Sequence, residues 1–401
     1  MSFKRFPILF LIALSFSFSG LSSAQNYIQG DDITHQLSRK EKAISIKSSN
    51  PSWAALAQKA FSTHGAFRLA KGENPNFTLT FNPAGPNTCQ LVISSGRPAK
   101  VLFEKNVTGP SESQALLMAC DLAVQKTIGI PGYFAGKIAF VGDRSGNREI
   151  WTTDLFFKNA RQVTSDASKS VSPHWSPDGK KILYTGYYKT GFPDLYLINL
   201  ASGQRTVFAS FKGTNTGGVF SPNGSKVAMI LSAKGYPELY VAGANGKKPK
   251  ALTKGKAVEA SPAWSPDGKQ IVYTSDQMGG PQLFLINAQG GRPKHLSTRL
   301  SGYVDEPDWN PRDRNKILFT ASTRLGYQIG QLDLGSGRAN WITNAGDNSE
   351  AVWLNDGRHI VYVQRQGKWS GMRIHDTVTG KDRALHSASF GNAYQPAFVY
   401  P

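Results

Sequence analysis

Beyond residue 137 the chain alternates short apolar runs with turn residues on a fixed beat. The runs Ile182-Leu183-Tyr184, Val227-Ala228-Met229, Ile271-Val272-Tyr273, Ile317-Leu318-Phe319 and Ile360-Val361-Tyr362 are β-rich and too short for helices. A third set, such as Leu239-Tyr240-Val241 and Leu283-Phe284-Leu285, follows a glycine-bearing loop, and a basic segment such as Lys250-Ala251-Leu252-Thr253 comes next. The first strand of each unit ends in an aromatic residue. These are Trp175, Phe220, Trp264, Trp309, Trp353 and Phe398, spaced 45, 44, 45, 44 and 45 residues apart. A period in the mid-forties that holds four short strands is the period of a β-propeller blade.

The turn after each anchor reads Ser176-Pro177-Asp178-Gly179, Ser265-Pro266-Asp267-Gly268 or, more loosely, Ser221-Pro222-Asn223-Gly224. Proline presets φ, Asp or Asn tolerates the next position and glycine supplies positive φ, so the chain reverses into a hairpin. One carboxylate per turn is not the oxygen-rich loop that calcium needs. The anchors themselves are expected in the core, one bulky ring per blade between neighbours. Ile138-Ala139-Phe140, Ile150-Trp151 and Gln162-Val163-Thr164 lack an anchor strand, whereas Gln395-Pro396-Ala397-Phe398 is an anchor strand with nothing after it. Pairing these two ends closes a ring of six blades.

Upstream the pattern changes. Ile44-Ser45-Ile46 reads as a strand, and Asn50-Pro51 opens a helix with Trp53, Leu56, Ala57, Ala60 and Phe61 on its apolar face. Strands are expected near Phe77 to Phe81, Gln90 to Ser94 and Val101 to Phe103. A second helix, begun by Ser111 with Gln114 three residues on, buries Leu117, Cys120, Val124 and Ile128 and stops at Gly129. The fold class is therefore α+β multidomain, with a small N-terminal α/β domain followed by a six-bladed β-propeller closed by the C-terminal strand. The expected boundaries are a signal peptide over 1–24, a flexible mature start over 25–40, the α/β domain over 41–129, a short linker over 130–136 and the propeller over 137–401.

The leader carries Lys4 and Arg5, an apolar stretch from Phe6 to Phe18 and a small-residue end at Ser22-Ser23-Ala24. It implies export, and no later segment reaches the apolar length of about 18 residues that a spanning helix needs. The formal net charge is +19, with basic residues scattered rather than interleaved with aromatics. That distribution argues against nucleic acid and leaves either a solubilising surface or attraction to an anionic envelope component. Cys89 and Cys120 are the two cysteines. In an oxidising compartment they could be bonded, and two buried free thiols are the alternative. None of the seven histidines stands near them at ligand spacing, so no metal or cofactor site is expected. Neither a G-x-S-x-G elbow, an H-E-x-x-H pair nor a Walker loop is present, and His174, alone among the histidines within an anchor strand, reads as packed or solvated.

The order of leader, small α/β domain and S-P-x-W-S-P-D-G propeller resembles the TolB family, the periplasmic component of the Tol-Pal system. The resemblance is carried by Leu122-Ala123-Val124-Gln125-Lys126-Thr127-Ile128-Gly129-Ile130-Pro131-Gly132 with Lys137-Ile138-Ala139-Phe140-Val141, by the stretch Val207 to Val241, and by Ser261 to Leu285 with Thr274-Ser275-Asp276-Gln277. It implies a non-catalytic periplasmic scaffold without cofactors. The propeller of such a scaffold binds the peptidoglycan-associated lipoprotein Pal, its N-terminal region contacts TolA, and the complex supports outer-membrane integrity and constriction during cell division. Matching the family's contact positions points to Thr214, Gly217 and Ala260. Equivalent positions in the repeat add Asn215, Thr216, Glu259, Asp305, Glu306 and Glu350. Thr214 stands where the resemblance implies histidine, and Ala260 where it implies a hydroxyl. Residues Gln25 to Lys40 lack the apolar, strand-prone opening that strand addition to TolA would use. Two other readings fit an exported basic propeller: binding of peptidoglycan or another anionic envelope polymer, and an envelope hydrolase with polar residues converging in the channel.

Overall fold

The structure is a computed structural model and describes residues 41–400. The expected signal peptide over 1–24 and flexible start over 25–40 lie outside the described residues. Among the described residues no helix is long and apolar enough to cross a membrane.

The α/β domain is a five-stranded sheet carrying two helices. Its strands are β1 (Lys42–Lys47), β2 (Phe67–Leu69), β3 (Phe77–Pro83), β4 (Thr88–Ser95) and β5 (Lys100–Thr108), ordered β2-β1-β3-β4-β5. β1 runs parallel to β2 and β3, while β3, β4 and β5 form an antiparallel meander. Helix α1 (Pro51–Thr63) begins as expected, with Asn50 Oδ1 accepting from Ser52 N at 3.0 Å and Trp53 N at 3.4 Å. Helix α2 (Glu112–Ile128) is capped by Ser111, whose Oγ accepts from Gln114 N at 3.3 Å, and it ends on Gly129 at φ 78°. That left-handed angle explains glycine at the position. The inward faces of β1, β3 and β4 place Ile44, Leu79, Phe81, Leu91 and Ile93 against Trp53, Phe61, Leu116 and Val124 in one core. The three-residue strand β2 is too short to show a period in the sequence and was not expected.

Both thiols lie in this core and are free, which corrects the bonded alternative for Cys89 and Cys120. Burial pushes Cys89 up to about 12 and Cys120 well above its ordinary value, the latter helped by the charge of Asp121.

The propeller has six four-stranded antiparallel sheets. The inner strands are Ser170–Trp175, Asn215–Phe220, Glu259–Trp264, Val304–Trp309, Asp347–Trp353 and Ala393–Val399, and they define blades 1 to 6 in that order. The ring closes as expected, since Phe398 pairs with Ile138 and Ala397 with Ala139. The Ser-Pro-Asp-Gly turns are held locally: Asp178 Oδ1 accepts from Ser176 Oγ at 2.5 Å and Lys180 N at 3.1 Å, and Asp267 repeats the arrangement. Their carboxylates are spent on the hairpin. All the anchors but the half-buried Phe398 are buried, and two of the indoles reach across to the preceding blade, whereas Trp309 Nε1 donates to Arg314 O of its own blade at 2.9 Å. Trp264 Nε1 donates to Val219 O at 3.1 Å and Trp175 Nε1 to Ala397 O at 3.0 Å.

Because successive strands are antiparallel, the Ser-Pro-Asp-Gly turns and the loops between third and fourth strands share one face of the disc. The α/β domain packs on that face at blade 5. Lys381 Nζ donates to His64 O at 3.3 Å and Phe67 O at 3.0 Å, Arg383 Nε donates to Ser62 O at 2.9 Å, and Asn355 Nδ2 to Gly132 O at 2.9 Å. Two of these cations thus meet carbonyls at the C-terminal end of α1, where the helix dipole favours positive charge. The opposite face carries the second-to-third-strand loops and the entries to the inner strands.

Candidate functional site at the propeller mouth

Each inner strand is interrupted by a bulge three residues before its anchor. The residues there are Ser172, Gly217, Ser261, Glu306, Glu350 and Gln395, all with φ between 48° and 61°, and the register of every inner pair shifts at this point. Five of the six are not glycine, so the left-handed conformation is imposed by the repeat and accepted by ordinary side chains. These positions line a central channel of about 670 Å³, together with the residues just before the anchors, among them His174, Val219, Asp308 and Ala397.

The channel is asymmetric. On one side long side chains bridge blade to blade: Glu306 Oε2 accepts from Glu350 N at 2.9 Å, Glu350 Oε2 from Gln395 N at 2.6 Å and Gln395 Oε1 from Ser172 N at 2.8 Å. Around blades 1 to 3, Ser172, Gly217 and Ser261 are too short to form such bridges. One register deeper the device recurs, with Asp308 Oδ2 accepting from Trp353 N at 2.7 Å and His174 Nδ1 from Phe220 N at 3.4 Å. The polar groups converging in the channel are therefore inter-blade staples, each occupied by a backbone N–H.

Burial pushes Asp308 up to about 7 and His174 down to about 4. Glu306 and Glu350 are both raised by burial, and Glu350 also by the charge of Glu306. A carboxyl raised in the folded state binds its proton more tightly than in the unfolded chain. Its effect is to reduce stability as pH rises from the ordinary carboxyl range toward neutrality. Gln395 shows that a neutral amide fits the same position and makes the same bond. Glu350→Gln is accordingly expected to raise stability at pH 7.5 by about 1–3 kcal/mol and to flatten the pH dependence between 4 and 7. Thermal unfolding across pH checks this, and unchanged or lower stability at pH 7.5 would contradict it.

The nine sequence-derived candidates separate into three groups. Thr216, Gly217 and Ala260 line the channel and Thr214 and Asp305 stand beyond its lining, all partly exposed, although Asp305 Oδ1 accepts from Thr274 Oγ1 at 2.7 Å. Glu306 and Glu350 stand inside as staples. Asn215 and Glu259 are buried, which corrects their placing at the rim. Asn215 pins the loop before it, with Oδ1 accepting from Phe211 N at 2.9 Å and Nδ2 donating to Phe211 O at 2.8 Å. Burial pushes Glu259 up to about 7. At the same register Val304 stands in blade 4 and Ala393 in blade 6, a register that points into the blade, which the sequence period alone did not distinguish from the mouth.

What sequence reasoning missed on this face is apolar. Tyr188, Phe192, Phe211, Tyr236, Val258, Met278 and Leu325 are exposed on its loops. Among the described large apolar side chains of the propeller, only Val207 and Val378 are exposed elsewhere. The loops were read as turns, and a single apolar residue in a polar loop carries no periodic signal.

A second polar cluster lies on the other face, at the domain junction. His64, Asp356 and His359 offer ligand atoms within 4.8 Å of one another, all buried. Ala66 N donates to His64 Nδ1 at 3.2 Å, which assigns the proton of the neutral ring to Nε2 and removes the lone pair a metal would need there. His359 sits between Asp356, 2.6 Å from Nδ1, and Asp376, 3.2 Å from Nε2, and Arg358 pairs with Asp376. Arg358 and His359, the latter raised by Asp356 and Asp376, thus face the two carboxylates.

The family model described as "TolB beta propeller domain" matches residues 124–399. The Tol-Pal system protein TolB of Methylobacillus flagellatus is 38% identical over 114 residues, which are 28% of this chain and 26% of that one. That of Acinetobacter baylyi is 41% identical over 108 residues, 25% of each chain. The matched stretches thus span about a quarter of these curated relatives. The crystal structure of TolB from Acinetobacter baumannii superposes with a TM-score of 0.78 at 24% identity, covering 90% of this chain and 97% of that one, a likeness of fold. With the family match running from the second helix of the α/β domain through the closing strand, the chain belongs to the TolB propeller family.

Proposed function

We propose that this protein is a periplasmic, non-catalytic scaffold of a Tol-Pal system whose propeller mouth docks a Pal-type peptidoglycan-associated lipoprotein. In this reading it supports outer-membrane integrity and constriction during division. The observation that carries it is the free face: loops from six blades surround an open channel, and the exposed apolar side chains of the propeller gather there. A rigid ring that presents apolar anchors beside a hollow is what specific protein docking requires. Glu306, Glu350, Asp308 and His174, the groups whose convergence in the channel an enzyme reading would use, each accept a backbone N–H across a blade junction, which favours a structural role for them. TolA contact through the N-terminal region belongs to the same proposal, and it falls on residues outside those described.

Gly217→Arg tests the site. Glycine is not required at φ 61°, since serine, glutamate and glutamine hold the same angle in other blades. A Cβ at Gly217 would meet Pro262 Cδ at 3.4 Å and Ile230 Cγ1 at 3.6 Å, ordinary contact distances. The arginine should fold and fill the unbridged side of the channel. Titration calorimetry with a soluble Pal-type domain is expected to give at least about a tenfold loss of affinity, the scale of one hot-spot residue, with unfolding temperature little changed. Unchanged affinity would remove the mouth as the docking site.

A further inference from the structure

We propose that the second-to-third-strand loops of blades 1 to 4, on the free face, contact the surface of an anionic phospholipid bilayer. The proposal goes beyond lipoprotein docking and stands without it. In blade 1 the loop between Gly186 and Asp194 carries Lys189 and Phe192, in blade 2 the loop before Glu238 carries Lys234 and Tyr236, and in blade 4 Arg324 and Leu325 stand side by side at the turn. Phe192 is 68% exposed, Met278 of the blade 3 loop 62% and Leu325 81%. The entries to the inner strands add Lys212, Lys254 and Lys256, all exposed, with Phe211 and Val258 beside them.

Two features of this arrangement select the occupant. The first is charge. Among these loops Asp166 is paired with Arg205 at 2.6 Å, while Asp276, Asp347 and Asp143 keep their charge and accept hydrogen bonds from Val258 N at 2.8 Å, Tyr327 N at 2.9 Å and Asn392 Nδ2 at 2.7 Å. The lysines beside them face outward, and the chain as a whole is strongly basic, so an anionic surface is complementary. The second is spacing. The exposed apolar side chains Phe192, Tyr236, Met278 and Leu325 come from loops of the same topological class in blades 1 to 4, with basic or polar residues beside them. Tips carried on separate loops can each enter a deformable interface, with the cations at the headgroups.

The test is co-sedimentation of the full mature chain with vesicles of phosphatidylcholine, with and without phosphatidylglycerol. The protein is expected to bind the anionic vesicles, to bind the neutral ones weakly, and to be released as salt is raised. Phe192→Ser combined with Leu325→Ser should weaken binding roughly tenfold or more. The unfolding temperature should stay unchanged because neither side chain is packed. Lys189→Glu with Lys234→Glu should also weaken it, and Gly217→Arg, inside the channel, should not. That last arm separates this proposal from lipoprotein docking, which the same variant is expected to weaken. Failure to bind anionic vesicles, or binding that survives both double variants, overturns the proposal. So does a result in which the serine variant loses affinity for a Pal-type domain while the parent ignores lipid, since the tips would then belong to a protein interface.

Discussion

Replacing Trp264 by alanine is expected to lower the stability of the propeller by about 3–5 kcal/mol, the range for removing a large aromatic from a packed core. Its ring packs in a cluster with Ala228, Ile230 and Leu239 of blade 2 and Ile271 of its own blade, and its indole donates to Val219 O. Two blades lose contact at once. Phe220 and Phe398 fill the same register without an indole N–H, so Trp264→Phe should cost far less, about 0.5–1.5 kcal/mol for the lost hydrogen bond. Denaturant unfolding of both variants measures the difference. Equal losses, or an alanine variant within about 1 kcal/mol of the parent, which is no more than an ordinary substitution, would mean that the anchors do not join the blades.

The second large effect is expected at the domain junction. The Asp376 carboxylate accepts from Arg358 Nε at 3.0 and 2.9 Å, from Val378 N at 2.9 Å and from Thr379 N at 3.2 Å, with His359 Nε2 at 3.2 Å. Its neighbours hold it well below the usual carboxylate range. Asp376→Asn removes the charge that two buried cationic groups face, and breaking a buried pair from one side costs about 3–5 kcal/mol. The effect should extend into the α/β domain, because Gly65 lies against Asp376 so closely that a Cβ there would clash with Oδ2. Amide exchange is therefore expected to quicken at Ser62 to Phe67 as well as around residue 376. A loss confined to the propeller, or a loss near zero, would contradict the junction as described.

The same junction fixes a pH signature. Asp356 and Asp376 raise His359, and that contribution is full below the ordinary histidine range and fades as pH rises through the raised value. Burial and the positive charge of His359 hold His64 well below its ordinary value, so its contribution is present at neutral pH and is lost as pH falls. The lowered Asp376 acts in the same direction as His64, losing its contribution only at strongly acid pH. His64 acts below the ordinary histidine value and His359 above it, so the contribution of this pair is greatest near that value and falls away on either side.

Much of the fold was legible because it repeats. A blade cannot bury its two faces alone, so the anchor period, the Ser-Pro-Asp-Gly turns and the unpaired ends at Ile138 and Phe398 dictated ring and closure together. The caps at Asn50, Ser111 and Gly129 marked both helices by local chemistry. The site was less legible. Period locates a residue within a repeat but not the direction of its side chain across a bulge, so Glu306 and Glu350 turned inward as staples and Asn215 and Glu259 went into the blade. The bulge left no trace because its left-handed residue is serine, glutamate or glutamine more often than glycine. The junction cluster joins His64 to residues almost 300 positions later, and separations of that kind become visible only once the α/β domain is seated on blade 5.

The most direct measurement of the central claim is a pull-down from envelope extract with the mature chain from Gln25 to Pro401, run beside Gly217→Arg, with mass spectrometry of what is retained. The account predicts a Pal-type lipoprotein on the parent chain and its loss from the variant. Equal recovery by both would contradict docking at the mouth, and salt-sensitive retention of glycan with no lipoprotein would show a polymer-binding propeller instead.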